Sequence, residues 1–352
     1  MKQITKIIIC ALAGAAILPS CKKNLSIPGP VPADMAVLTV GLAGMDATVE
    51  TRAGTDPYNY DKTVSTVQFF VFEPNGRCAG KLDNAGSIKV LRGYKYTVAA
   101  LANGPSITDP TLTSLRNYSI DLKDHPFVMY GETEADFSTA ESLTVGITAA
   151  SLGSRVRIVE IKNNLPAWAG AIVVKRVFLC NVVGTAVPSG VEQDIKYNWY
   201  GRTSIGTKIT PGTDTGAVTT SDPAGSSTCA NLGGSMNAGT TLSGLPKYLY
   251  CFPNSSRKEM SDMHDATTTD QGASTWLCMV GTFGSKTYFW TVNLGKDITG
   301  TQGLAANYTY DVSLTVNNLG SADPGTPTVP GSLTVSCTSK DWSNGGDVSV
   351  EI

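Results

Sequence analysis

Short stretches in which apolar and polar residues alternate recur along most of the chain. Residues 37–42 place Leu38, Val40 and Leu42 on one face of a period-2 pattern, as in a half-buried β-strand. Further strands are predicted over residues 63–73, 87–91, 94–102, 127–131, 143–147, 156–161, 171–183, 248–253, 275–281, 286–293 and 307–316. A short helix is predicted within residues 109–118, but helical periodicity is otherwise nearly absent. The pattern therefore predicts an all-β protein.

The predicted strands fall into two blocks, with a boundary at Asn163-Asn164-Leu165-Pro166. About seven short strands per block, at intervals of roughly 10–20 residues, favour two tandem Greek-key β-sandwich domains. We assign residues 53–166 to the N-terminal domain and residues 167–330 to the C-terminal domain. Residues 201–244 are poor in apolar side chains and are predicted to form long surface loops.

The C-terminal residues 331–352 show a hairpin pattern behind a proline-rich linker. Pro324, Pro327 and Pro330 make the linker unsuited to a central strand. Two alternating stretches follow, separated by Trp342 and the turn-forming residues 343–347; their apolar positions are Leu333, Val335, Cys337, Val348, Val350 and Ile352. The hairpin either folds back as an edge of its own domain or inserts into a neighbouring molecule.

The N-terminus has the pattern of a secretion signal. Lys2 and Lys6 precede an apolar run over residues 7–18, which is shorter than the roughly 20 residues that span a bilayer. The ending Leu18-Pro19-Ser20-Cys21 resembles the bacterial lipobox, which implies a signal peptide over residues 1–20 and lipidation, with palmitate, of Cys21. The alternative is an ordinary secretory signal followed by an incidental cysteine.

A protease site is predicted between Arg52 and Ala53. These residues lie among small and turn-forming residues, after the 37–42 strand and before the globular body, where extended backbone is open to cleavage. Residues 21–52 would then form a lipid-tethered propeptide that carries a removable strand.

Composition and motifs give no support for an enzyme. The 352 residues carry a formal net charge of −2, which gives no electrostatic case for nucleic acid. His125 and His264 are the two histidines, and the Gly281–Lys286 stretch lacks the spacing of a phosphate-binding loop. We therefore predict no catalytic residues, no metal and no cofactor. Tryptophans could line a glycan site, but Trp276 and Trp290 lie in predicted strands and are more simply core residues.

Six cysteines follow Cys21, namely Cys78, Cys180, Cys229, Cys251, Cys278 and Cys337. An even number outside the cytoplasm permits three disulfides. No closely spaced pair occurs, however, and several lie in apolar strands, so we expect mostly free, buried thiols.

The order of these motifs resembles that of the fimbrillins, the pilin subunits of type V pili of Gram-negative anaerobes. The resemblance rests on the Cys21 lipobox, Thr51-Arg52-Ala53, residues 67–76, 94–98 and 307–312, and the C-terminal segment with Trp342. It covers nearly the whole chain except residues 201–244. It implies transthyretin-like β-sandwich domains, export through the periplasm to the outer membrane, and display in an extracellular fimbrium that serves adhesion and biofilm formation.

The two ends of the chain suggest how such a subunit would polymerise. Cleavage after Arg52 by an Arg-specific protease would release the strand of Leu38, Val40 and Leu42 and leave a groove with two unpaired strand edges. A C-terminal strand from another pilin subunit would refill it, head to tail, by strand addition. The alternative is a non-polymerising surface lipoprotein adhesin, such as a tip or anchor pilin or a glycan-binding protein. The sequence names no receptor.

Overall fold

The computed structural model of the chain describes residues 34–43, 64–122, 124–180, 182–190, 199–200, 227–254, 274–294, 303–322, 328, 331–341 and 347–350. The predicted signal peptide, Cys21, Arg52, Ala53, His264, Trp342 and Ile352 lie outside the described residues.

The described residues form strands almost throughout, as the alternating pattern predicts. A single turn of helix, α1 (Leu112–Arg116), begins at the N-cap Thr111, whose side chain accepts a hydrogen bond from the Ser114 amide. A short 3-10 helix covers Ala167–Ala169. The strands are β1 (Met35–Ala43), β2 (Val67–Phe72), β3 (Cys78–Leu82), β4 (Gly86–Leu91), β5 (Lys95–Ala102), β6 (Ile120–Asp121), β7 (Met129–Asp136), β8 (Ser142–Thr148), β9 (Ala150–Ser151), β10 (Ser154–Asn163), β11 (Ile172–Cys180), β12 (Val182–Val183), β13 (Thr185–Ala186), β14 (Trp199–Tyr200), β15 (Cys229–Met236), β16 (Lys247–Cys251), β17 (Trp276–Phe283), β18 (Lys286–Asn293), β19 (Tyr308–Val316), β20 (Leu333–Asp341) and β21 (Asp347–Val350).

The first compact unit comprises Met1–Tyr118 and Phe127–Ala150. It contains a three-stranded sheet in the order β4-β1-β8, and its other strands belong to a sheet in the order β3-β2-β5-β7-β9. Buried side chains from both sheets form one apolar core, including Leu38, Val40, Phe69, Val71, Val98, Ala100, Phe137 and Ile147. This packing of two sheets over a shared core is a β-sandwich.

The second unit comprises Ser119–Pro126 and Ser151–Ile352. Its two main sheets have the orders β16-β10-β19-β20-β21 and β15-β11-β17-β18. The Asn163 side chain of β10 donates a hydrogen bond to the Met236 carbonyl of β15 at 3.0 Å and so joins the two sheets. The Trp290 indole of β18 donates to the carbonyl of Asn318, just after β19, at 3.0 Å. Trp276 and Trp290 are both buried, which confirms that they are core residues.

The division between the units falls at Ala150, earlier than the boundary near residue 166 that the sequence suggests. β10 pairs antiparallel with β16 and parallel with β19, so it belongs with the second unit. Sequence order alone places β10 at the end of the first block. In the structure it is an inner strand of a sheet of the second unit, between β16 and β19. The Greek-key connections remain a prediction.

Two of the longer strands, β3 and β15, lie where the sequence predicts none, as do the two-residue strands β6, β9, β13 and β14. β15 falls inside the region 201–244, so the prediction of loops is wrong there, and it pairs antiparallel with β11. β3 follows the turn after β2 and pairs with it. Both strands contain glycine, which lowers their apparent strand propensity.

Candidate subunit interface

β1 is the central strand of its sheet. It pairs antiparallel with β4 from Met35↔Leu91 to Val40↔Gly86, and parallel with β8 from Val37↔Ser142 to Ala43↔Thr148. Both of its backbone edges are therefore engaged, and its removal would leave two neighbouring strands with unpaired amide and carbonyl groups.

One face of β1 supplies the core of the first unit. Ala36, Leu38, Val40 and Leu42 are buried, and the intervening residues are half-buried, as the alternation predicts. Leu38 has no exposed surface, and it belongs to the same cluster as Phe69 and Val98. Without β1 the groove between β4 and β8 would therefore be lined by apolar side chains in contact with water.

The opposite face of β1 carries one polar contact and one open position. The hydroxyl groups of Thr39 and Ser87 are hydrogen-bonded at 2.8 Å. A Cβ atom added at Gly41 would meet no atom within 4 Å. By contrast, a Cβ at Gly146 of β8 would lie 2.7 Å from the Cβ of Ala43, so the close approach of β1 to β8 requires glycine there.

The flanking strands are also connected to each other at the start of β1. Arg92 Nη1, just after β4, lies 3.1 Å from Glu141 Oε1, just before β8. The Gly93 amide donates to the Phe137 carbonyl at 2.9 Å, so a main-chain contact reinforces this partly exposed ion pair. Sequence reasoning missed both contacts because they join residues more than 40 positions apart. They would hold this end of the groove together when β1 is absent.

In the described chain the C-terminal hairpin folds back as an edge of its own unit, which is one of its two predicted arrangements. β20 pairs antiparallel with β19 along nine residues, from Val316↔Leu333 to Tyr308↔Asp341, and Cys337 is buried. β21 is the outermost strand and pairs with β20 over four residues, from Cys337↔Val350 to Lys340↔Asp347. The described chain thus uses β20 as a strand of its own second unit, whereas β21 is held only at the sheet edge.

The linker before β20 contacts its own unit at several points. The Phe289 amide donates to the Ser321 carbonyl at 2.8 Å, and the Thr291 amide donates to Thr328 Oγ1 at 2.7 Å. The amides of Asn317 and Asn318 both donate to the Ser332 carbonyl. These contacts fix the start of β20 beside the end of β19.

All six cysteines after Cys21 are free, and five are buried, which confirms the expectation of mostly free, buried thiols. Burial raises the pKa of Cys229 to about 11, although the charge of Arg176 opposes the shift, and raises that of Cys251 to about 12. Burial likewise raises the pKa of Cys337 to about 12. A high pKa leaves little thiolate near neutral pH, so these thiols have the properties of apolar core groups.

The described residues hold no arrangement suited to a metal ion: no group of three or more His, Cys, Asp or Glu side chains converges there. Trp168, on the 3-10 helix, is 87% exposed, more than the exposed tyrosines Tyr94 and Tyr118. No helix among the described residues is long and apolar enough to cross a bilayer.

The described residues form an all-β protein of two units. In the first unit, β1 is the middle strand of the three-stranded sheet β4-β1-β8. No sequence family matches the chain, and no curated protein does. Its fold, however, matches solved structures. A protein of Parabacteroides distasonis ATCC 8503, provisionally described as a cell adhesion protein, has a TM-score of 0.56 at 15% identity over 88% of this chain and 99% of that chain. A similarly described protein of Bacteroides eggerthii DSM 20697 has a TM-score of 0.55 at 16% identity over 89% and 97%.

A fimbrilin of Porphyromonas gingivalis W83 has a TM-score of 0.51 at 14% identity, over 79% of this chain and 91% of that chain. These identities are low, so the comparison establishes a shared fold. The chain thus has the fold of a fimbrilin and of proteins described in terms of cell adhesion, as the resemblance of its motifs implies.

Proposed function

We propose that the chain is the precursor of a shaft-type pilin, the polymerising subunit of a surface fimbrium that serves adhesion and biofilm formation. It is secreted as a lipoprotein, held in the outer membrane by lipid on Cys21, and cleaved after Arg52 by an Arg-specific protease. The observation that carries the proposal is the central position of β1, which lies on the N-terminal side of the cleavage site. Cleavage there would separate an inner strand from the rest of its sandwich.

The groove that β1 leaves would bind a replacement strand strongly. Each apolar side chain of the size of Leu38, Val40 or Leu42 contributes about 1.5–3 kcal/mol when it is buried. Main-chain hydrogen bonds to β4 and β8 add to this, because both edges are otherwise unpaired. The hairpin of a second copy supplies such a strand, and since groove and donor are different surfaces, the assembly grows head to tail.

A cleavage experiment tests this function. The purified precursor is treated with an Arg-specific protease and run on a denaturing gel without boiling. We expect a ladder of oligomers, and Edman sequencing of the polymer should begin Ala53-Gly54-Thr55. The Arg52→Ala variant should stay monomeric, because β1 remains covalently attached.

The matched control is Arg52→Lys, which should resist the Arg-specific protease but polymerise after cleavage with a Lys-specific one. A mature terminus at Cys21 in the polymer would contradict the proposed processing. Cleaved protein that remains monomeric would instead support a non-polymerising adhesin, a function that the packing of β20 in its own sheet would also allow.

A further inference from the structure

An arginine of the second unit lies on an apolar face of the β15-β11-β17-β18 sheet. The buried side chains of this face, called the Phe178 face below, form a separate cluster of Phe178, Cys180, Cys229, Trp276, Cys278, Val280 and Phe289. Arg176 precedes Phe178 by two positions on β11 and pairs with Val280 of β17, so strand alternation places it on the same face. A positive charge therefore lies beside an apolar cluster.

The buried part of the Arg176 guanidinium has no hydrogen-bond partner among the described residues. Its Nε and Nη1 atoms are both buried, and neither of them meets an acceptor in the part of the chain that the structure describes. By contrast, Arg92, Arg116 and Arg157 each pair with a carboxylate. A buried charge without a partner is costly, because it loses its hydration and gains no interaction in exchange.

The neighbouring polar groups do not supply a compensating negative charge. Cys229 and Cys278 lie opposite Phe178 on the two adjacent strands, and the charge of Arg176 acts on both thiols. Burial raises the pKa of both thiols, and Arg176 opposes this only in part, so both stay protonated near neutral pH. The indole N–H of Trp276, a residue that is 2% exposed, also lacks an acceptor among the described residues. The Phe178 face thus has more buried donors than acceptors.

We propose that Arg176 binds a small monovalent anion, of the size and charge of chloride or bromide, at the Phe178 face. Such an anion supplies both an acceptor for a buried N–H group and the compensating charge, whereas a water molecule would supply only the acceptor. A halide fits better than sulfate or phosphate, because one guanidinium group in apolar surroundings can replace a weak hydration shell but not that of a multiply charged oxyanion. The site does not depend on cleavage after Arg52 or on polymerisation.

Arg176 lies where an ion can reach it from solvent. The residue as a whole is only half-buried, although its Nε and Nη1 atoms are enclosed. Its pairing partner on β15 is Asn231, which is exposed, and β15 is the outermost strand of the sheet. An anion can therefore approach the guanidinium group from the β15 edge.

Calorimetry of the uncleaved precursor tests the site. Thermal unfolding is measured in sodium gluconate and, at the same ionic strength, in sodium chloride or sodium bromide. At about ten times its dissociation constant, the halide should raise the Tm of the wild type by roughly 3–6 °C. Arg176→Met keeps an unbranched side chain but removes the charge, so its Tm should be the same in halide and in gluconate. The matched control is Lys175→Met, which removes the same charge at the exposed neighbouring position and should keep the halide effect.

A halide effect that is lost in Arg176→Met and kept in Lys175→Met is the expected result. An equal halide effect in the wild type and in Arg176→Met, or no effect in the wild type, would overturn the inference. If Arg176→Met does not fold, wild-type crystals soaked in sodium bromide decide the question. An anomalous-scattering peak in contact with Arg176 Nε or Nη1 supports the site, and the absence of a peak there contradicts it. The uncleaved protein is used throughout, so none of these outcomes bears on the proposed function.

Discussion

At the scale of single residues, the Glu132 carboxylate of the first unit is held by an arginine and a tyrosine. It accepts hydrogen bonds from Arg116 at 2.9 and 2.5 Å and from the Tyr130 hydroxyl. Burial raises the pKa of Glu132, but the hydrogen bonds from Arg116 and Tyr130 and the charge of Arg116 outweigh it, so the pKa lies below its ordinary value. Since Arg116 is the last residue of α1 and Glu132 lies in β7, the contact attaches the helix to the sheet.

We predict that Glu132→Gln lowers the free energy of unfolding at neutral pH by about 1–3 kcal/mol, since Arg116 loses its ionised partner. A carboxylate whose pKa is lowered by folding contributes stability above its unfolded pKa of about 4.5, and this contribution is lost as pH falls through the folded value. Denaturant titrations at pH 7 and at successively lower pH should therefore show the difference between wild type and variant shrinking below about pH 4.5.

Glu134→Gln is the control for this prediction. Glu134 pairs with Lys95 at 3.1 Å, but both side chains are more than half exposed, so the loss of unfolding free energy should be clearly smaller than for Glu132→Gln. A Glu132→Gln variant as stable as Glu134→Gln would show that the contact with Arg116 does not stabilise the unit.

At the scale of elements, β1 differs from an ordinary core strand because, in the proposed function, cleavage after Arg52 ends its contribution to the core. In the precursor it supplies buried side chains to the sandwich, with Leu38 at the centre of its buried face. In the proposed polymer the same groove holds a strand from another copy. Substitutions in β1 should therefore affect the precursor alone.

We predict that Leu38→Ala lowers the unfolding free energy of the precursor by about 2–5 kcal/mol, because it leaves a cavity in the core. Val37→Ala on the half-buried face should cost clearly less. Thermal unfolding of both precursors measures the difference. Polymers prepared from the two variants should have equal heat resistance, and a weaker polymer from Leu38→Ala would show that β1 remains in the assembled fibre.

The strands that alternation predicts well are those with large side chains on one face, such as β1, β2 and β19. β15 escaped prediction because Gly233 and Gly234 stand where larger residues are expected. A Cβ at Gly234 would lie 2.5 Å from Leu242 Cδ1, so a neighbouring side chain already fills that place. In β3, a Cβ at Gly80 would lie 2.0 Å from Ile88 Cδ1. Such glycines are set by tertiary packing, which local propensity does not contain.

The candidate interface was predictable from the sequence only where its pattern is local. The apolar face of β1 and the hairpin pattern at the C-terminus are local and can be read from the sequence. The partners of β1 cannot, because β4 and β8 lie about 50 and 100 residues away and their register depends on contacts such as Thr39 with Ser87. The division between the two compact units lies before the predicted boundary because β10 pairs with strands much later in the chain.

At the scale of the whole molecule, the two ends of the chain carry the same strand pattern. The first such pattern lies in β1, before the predicted cleavage site, and the second lies in the C-terminal hairpin of β20 and β21. The molecule would thus carry both the strand that blocks its groove and the strand that fills the groove of its neighbour. The lipid anchor belongs to the first end and would leave with it.

We predict that Cys21→Ser abolishes labelling by a palmitate analogue and reduces surface display, because one or more acyl chains hold the precursor in the membrane. Metabolic labelling followed by surface immunodetection measures both effects. Cys78→Ser is the control and should change neither, since Cys78 lies in β3 within the folded body. Labelling that persists in Cys21→Ser would show that another residue accepts the lipid.

The free thiols have a consequence for how quickly the subunit can become ready for use. The six cysteines of the described residues, five of them buried, form no cross-link, so these residues fold without an oxidation step and without the rearrangement of mispaired disulfides, a process that takes minutes to hours without a catalyst. Folding of the described part of the chain should therefore not depend on the redox potential of the compartment. The same fold would form in a reducing, oxygen-free habitat and in an oxidising one, and a fibre built from it would owe its cohesion entirely to noncovalent contacts between strands.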